Sequence, residues 1–178
     1  MAIDFEISNS KKIKGLKIIR PSIHIEDRGE IWSSYSKDLL GELLPENILF
    51  KHDKFSTSKK NVLRGIHGDN KSWKMISCIQ GSIMQVVVDM RKTSETFLKW
   101  ESFKIGDDNR LMILIPPNFG NAFFVLSEIA TYHYKLAYEG KYFDVEDQFS
   151  IPWNDPRIGI RWPIDNPILS NRDKNEKI

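Results

Sequence analysis

Cysteine is almost missing: Cys78 stands alone in the chain, so no disulfide can close within it and a reducing compartment is expected. Its place in the apolar run Met75 to Ile79 reads as small buried packing. An excess of one charge is missing too. Lys and Arg number 26 against 24 Asp and Glu, which leaves no basic footprint for nucleic acid and makes any anion site local. No run approaches the roughly 20 apolar residues that span a bilayer. The start, Met1 to Glu6, lacks the basic residues, apolar stretch and cleavage site of a leader. The expectation is a cytoplasmic protein with no membrane or nucleic-acid partner. Repeats, low-complexity tracts and Pro/Gly/Ser linkers are also absent, so 1–178 reads as a single domain long enough to bury a core.

What is present is a series of short β-rich runs separated by turn residues: Leu16 to Ile19, Glu30 to Tyr35, Asn61 to His67, Lys74 to Ile79, Ile83 to Asp89, Leu111 to Ile115, Ala122 to Leu126 and Thr131 to Ala137. That spacing predicts an antiparallel sandwich or barrel rather than βαβ units. One helix is expected over Ser36 to Pro45, with Ser36 as N-cap, Leu39, Leu40, Leu43 and Leu44 on one side, and Pro45 as its stop. The polar end from Asp173 to Ile178 should fray.

Chemistry concentrates in Asn61-Val-Leu-Arg-Gly-Ile-His-Gly-Asp69. Arg64 carries a fork of donors suited to phosphate, and His67 a base that titrates near neutral pH. Strand alternation puts residues three apart on opposite faces, so both can reach one cavity only through a bulge or kink, which Gly65 permits. In Ala130 to Tyr138 the same alternation puts Tyr132 and Tyr134 on one face and Thr131, His133 and Lys135 on the other. If Tyr134 lines a cavity, His133 points away. Taken alone, a histidine or a tyrosine in a strand is more often packing, so these residues by themselves leave the role open.

An ordered series resembles the dTDP-4-dehydrorhamnose 3,5-epimerase family, the cupin-like epimerases of nucleotide-linked 4-keto sugars. It comprises Arg28-Gly29, Phe55 to His67, Val88-Asp-Met-Arg91, Ile115-Pro-Pro, Val125-Leu-Ser127, Tyr134-Lys135, Trp153-Asn-Asp155, Trp162-Pro163 and Leu169-Ser-Asn-Arg-Asp173, and so spans most of the chain. The resemblance implies an all-β, cupin-like jelly roll with a few short helices. It also implies a homodimer exchanging an N-terminal strand, a nucleotide-diphospho-4-keto sugar as substrate, and no metal or redox cofactor. It matches His67 to the catalytic base, Asp173 to the carboxylate paired with it, Tyr134 to the acid on the opposite ring face, and Lys74 to the cation near the C4 oxygen. Arg64 and Arg28 match arginines used around the diphosphate. Lys51 to Phe55 aligns with a nucleotide-contacting segment, with His52 and Lys54 in place of the usual Gln and Asn.

Other departures cluster where the sugar is expected. Asn121 stands where histidine is common, Gln85 where Asp is frequent, and Asp69 where Gln is usual. Lys51 to Phe55, Arg64-Gly-Ile-His-Gly-Asp69 and Phe119-Gly-Asn-Ala122 look like the branch that acts on GDP-linked 4-keto-heptoses in bacterial capsule pathways. Three rival readings share the scaffold. A metal-dependent cupin would need a paired His-x-His, a nearby Glu and a later His, where this chain has His67-Gly-Asp69 and Asn121. A non-catalytic sugar-nucleotide-binding module would not require His67, Asp173 and Tyr134 together. A ketoisomerase would move the ketone away from C4.

Overall fold

The computed structural model describes residues 3–174. In chain order the strands are β1 (Phe5–Asn9), β2 (Lys17–Pro21), β3 (Ile23–Glu26), β4 (Gly29–Trp32), β5 (Phe50–Lys59), β6 (Leu63–Gly68), β7 (Trp73–Gln80), β8 (Ser82–Asp89), β9 (Trp100–Gly106), β10 (Met112–Ile115), β11 (Phe119–Val125), β12 (Ile129–Ala137) and β13 (Phe149–Ser150). Two short helices are α1 (Lys37–Leu40) and α2 (Asn171–Lys174). A six-stranded sheet runs β1-β2-β10-β7-β12-β5, a five-stranded sheet runs β13-β6-β11-β8-β9, and β3 pairs with β4 in a separate hairpin. The ladders are antiparallel, giving the expected all-β sandwich.

Three apolar layers explain why several strands read as continuous runs rather than alternations. Between the sheets lie Ile76, Cys78, Ile83, Val87, Ile113, Ile115, Phe119, Phe123, Val125 and Tyr132. The outer face of the six-stranded sheet buries Met75, Met112 and Leu114 under Leu40 and Leu44. The outer face of the other sheet buries Ile66, Val86, Val88 and Ala122 under Ile158, with Ile151, Ile160 and Trp162 packed around them. Strands β7 and β8 are covered on both sides, so neither face needs to be polar.

The helix expected over 36–45 is shorter than its leucine spacing implies. One α turn passes at Gly41 into a 3-10 turn, Gly41–Leu43. Ser36 has extended N-cap geometry but its side chain makes no capping bond. Leu39 is exposed while Leu40 and Leu44 are buried, because only one turn of true α geometry is available to align them. The fraying expected at the C-terminus falls on 175–178, outside the described residues; Asp173 and Lys174 are in α2.

Candidate active site

The central feature of the site is a register slip. Along β6 and β11, His67 faces Asn121 while Arg64 faces Phe123, three steps on one strand against two on the other. The extra residue turns Arg64 and His67 toward the same side. Gly65 makes this possible: its φ is +119°, and a Cβ built there would come within 2.6 Å of both the Ala122 Cβ and the Asn121 carbonyl oxygen. Only a residue without a side chain allows β11 so close to that backbone.

His67, Asp173, Tyr134, Lys74, Arg64 and Asn121 together line a cavity of about 270 Å³. The C-terminal segment reaches it by running beside β6, where the Leu63 N–H donates to Ile168 O and the Ile168 N–H to Asn61 O. Asp173 arrives beneath His67, its Oδ1 2.7 Å from His67 Nε2 and its side chain only 2% exposed. The Ser170 hydroxyl donates to Asp173 Oδ2 at 2.8 Å. Burial alone would raise this carboxyl, yet His67, Ser170 and the Gly65 N–H hold it below its ordinary range. Asp173 therefore sets an ionised carboxylate against the Nε2 edge of the His67 ring.

Strand β12 supplies the opposite wall. Tyr132 and Tyr134 both line the cavity, Tyr132 stacked on Phe123 with ring centroids 4.2 Å apart. His133 points away, as alternation requires. Its Nε2 lies 2.6 Å from Asp53 Oδ1, and its Nδ1 lies 3.0 Å from the Ser77 hydroxyl. Lys54 sits 5.6 Å from the centroid of the Tyr134 ring and pairs with Asp144. Burial works against the Lys54 charge, but Asp144 and Tyr134 more than offset it and raise its pKa.

Lys74, the second residue of β7, is buried, with its Nζ 2.6 Å from Asp69 Oδ2. Asn121 accepts from Gln85 Nε2 at 2.6 Å and pairs with the Tyr132 hydroxyl at 3.2 Å, so one neutral amide sits at the cavity wall with a second, fully buried, behind it. Arg64 is steadied by the Ser58 hydroxyl at 3.0 Å.

Three expected residues do not line the cavity within one chain: Arg28, His52 and Lys54, the last held beside the Tyr134 ring and Asp144. Arg28 sits at the turn of the β3–β4 hairpin, 83% exposed and paired with Glu26, because the hairpin stands apart from both sheets. His52 faces Tyr138, its Nδ1 3.1 Å from that hydroxyl. It is on β5 two residues before Lys54, beyond the cavity. Conversely, Ser56, Phe123, Tyr132, Asp144, Val145, Gln148, Ser170 and Arg172 line the cavity without having been singled out. Ser170 and Arg172 sit inside the Leu169 to Asp173 motif. The 3-10 turn Asp144–Asp147 has no regular pattern to announce it. Among the described residues no group of three or more His, Cys, Asp and Glu side chains is placed to hold a metal ion, and no helix is long and apolar enough to cross a membrane.

Comparison with known proteins agrees with this geometry. The family profile for dTDP-4-dehydrorhamnose 3,5-epimerase matches residues 10–178. The Salmonella typhimurium protein of that name is 37% identical over 165 residues, covering 90% of this chain and 88% of its own. The crystal structure of dTDP-6-deoxy-D-glucose-3,5-epimerase from Legionella pneumophila, in complex with dTDP-4-keto-L-rhamnose, superposes with a TM-score of 0.87 at 35% identity, covering 96% of this chain and 90% of that one. NovW, a 4-keto-6-deoxy sugar epimerase from Streptomyces spheroides, gives 0.88 at 28% identity, covering 97% and 86%. With the profile running almost end to end, this chain belongs to the dTDP-4-dehydrorhamnose 3,5-epimerase family and is an isomerase acting on a sugar nucleotide.

Proposed function

We propose that the enzyme inverts C3, C5 or both of a nucleotide-diphospho-4-keto-6-deoxy sugar by proton removal and return. The observation that carries this reading is that His67, backed by Asp173, shares one cavity with Tyr134 and Lys74. A hydrogen on carbon beside a ketone is acidic because its electron pair can move into a C=C bond as the carbonyl π pair moves onto oxygen. His67 takes the proton, Asp173 stabilises the imidazolium formed, and the Lys74 ammonium faces the charge growing on the C4 oxygen. Tyr134 then returns a proton to the opposite face, and Lys54 beside its ring stabilises the phenolate left behind. No net oxidation occurs.

Arg64 and Arg172 at the cavity wall fit a diphosphate, which a guanidinium binds through paired donors. Arg28 is too distant in one chain, so we place its role in a homodimer that exchanges an N-terminal strand. The exposed Ile23, Ile25 and Ile31 of the β3–β4 hairpin give such an exchange an apolar face to bury.

For the substrate, we favour a GDP-linked 4-keto-heptose destined for capsular polysaccharide. Its support is the resemblance of 51–55, 64–69 and 119–122 to that branch, together with the neutral Gln85–Asn121 pair beside the sugar site. A dTDP-4-keto-6-deoxyhexose is the second reading, favoured by the names of the relatives above. Offering both substrates in deuterated water and following them by NMR decides between them. Solvent deuterium should enter C3, with or without C5, of the GDP-heptose while the ketone stays at C4. Faster uptake into the dTDP sugar would shift the assignment to the second reading. A ketone that migrates, or no uptake into either sugar, would overturn epimerisation.

A further inference from the structure

The turn between β6 and β7 holds a carboxylate that the proton-transfer scheme does not use. The Asp69 side chain has no solvent exposure. Its Oδ1 accepts from the backbone N–H groups of Lys71 and Ser72 at 2.9 and 2.5 Å, an ordinary turn arrangement. Its Oδ2 does something a turn does not need. It accepts from the Ser72 hydroxyl at 2.6 Å, Lys74 Nζ at 2.6 Å and the Tyr142 hydroxyl at 3.1 Å.

We propose that Asp69 is a positioning residue for the reaction, acting through Lys74 and resting on the reading of Lys74 as the cation at the C4 oxygen. Lys74 sits in a strand flanked across the ladders by Ile115 and Leu136, where an unpaired ammonium would carry a heavy desolvation cost. Asp69 compensates that charge from behind and occupies one of the three N–H donors of the ammonium, leaving two for the cavity. The direction of the lysine is thus fixed before substrate arrives, as preorganised stabilisation of an oxyanion requires.

The same oxygen reaches further. Tyr142, whose phenol is pushed well up by burial and so remains a donor, accepts from Gln148 Nε2 at 3.0 Å, and Gln148 Oε1 accepts from Arg172 at 3.1 Å. Lys74, Gln148 and Arg172 all line the cavity. Asp69 is therefore where the lysine at the sugar end is joined to the segment that carries Asp144, Val145 and Gln148 across the cavity.

The test is a double-mutant cycle of Asp69→Asn with Lys74→Met, read as kcat, KM and deuterium uptake at C3 for GDP-4-keto-6-deoxy-heptose and dTDP-4-keto-6-deoxyhexose. Misdirecting a reacting group by about 1 Å can cost ~10²-fold, and a loss approaching that in kcat, with KM little changed, is expected for Asp69→Asn. In the Lys74→Met background the same substitution should cost nothing more, because the group it acts through is gone. Tyr142→Phe leaves the turn intact and should give a smaller kcat loss that also vanishes in that background, so the cycle can be read if Asp69→Asn folds poorly. Lys74→Met with undiminished turnover would sink the reading of Lys74 itself. An impaired Lys74→Met, alongside Asp69→Asn and Tyr142→Phe losses that are absent or simply multiply with it, would overturn the role of Asp69 alone.

Discussion

At the scale of single residues, the two acid–base groups, His67 and Tyr134, should fail in different ways. Positioned proton transfer contributes roughly 10²–10⁴-fold to a rate, and a loss of that size in both turnover and deuterium uptake is expected for His67→Asn, which removes the base. Tyr134→Phe removes only the phenol proton and keeps the ring beside Tyr132. It should still exchange the hydrogen on the His67 face while failing to deliver inverted product. NMR of the product stereochemistry in deuterated water checks this, and equal loss of exchange and inversion in both variants would mean that the two roles are wrongly divided. Much of this was legible in the sequence because each side chain lies within a recognisable run. Arg28 and His52 were legible as residue types but not as neighbours, since whether a hairpin or a strand end reaches the cavity is decided by packing that the run does not encode.

At the scale of elements, hydrophobic patterning located strands with apolar faces and missed those without. Strand β5 alternates half-buried and exposed positions along its length, but its inward positions include the polar His52, Lys54, Ser56 and Ser58, of which Ser56 lines the cavity. A strand whose inner face is polar for function has no apolar period to detect. Strands β1, β3 and β9, short and largely exposed or half-exposed, were missed although Phe5 and Ile7, Ile23 and Ile25, and Phe103 and Ile105 each alternate with polar residues. The bulge in β6 could be reasoned out beforehand, because two residues three apart were both required in one place. It also gives the sharpest structural prediction. Gly65→Ala would bring a Cβ to within 2.8 Å of the Ala122 Cα as well as the closer contacts above, at a φ that L side chains rarely adopt. Loss of about 2 kcal/mol or more is expected from urea unfolding, with activity falling further than stability alone explains as Arg64 and His67 lose their common side. A Gly65→Ala protein with wild-type stability and turnover would show that the slip in register does not hold the site together.

At the scale of the molecule, charge and exposed apolar surface set two behaviours. Ile25 is 75% exposed and Ile31 51% exposed on a hairpin that joins neither sheet. If that hairpin is exchanged between copies, Ile25→Glu should shift sedimentation from dimer toward monomer. An unchanged dimer would place the interface elsewhere. The second behaviour is acid stability. Asp89 closes β8 with no side-chain exposure, taking bonds from Arg91 Nη2 at 2.7 Å and from the Ser94 and Thr96 hydroxyls at 2.6 Å each. Burial alone would raise its pKa, but these donors lower it to about 2. A carboxylate depressed on folding contributes stability above its unfolded value, about 3.9, and loses it as pH falls through the folded value. The contribution is on the order of 2 kcal/mol at neutral pH, and it should disappear between about pH 4 and pH 2. Asp69, Asp53 and Asp173 are lowered in the same direction by their own partners, so the wild-type protein should weaken steeply in that range. Asp89→Asn should cost about as much at pH 7 and only a small part of that at pH 2, because the wild-type carboxyl is by then about half protonated even in the folded state. Urea unfolding at the two pH values measures the difference, and a cost that does not change with pH would mean that the Asp89 cluster holds the β8–β9 loop by shape and not by charge.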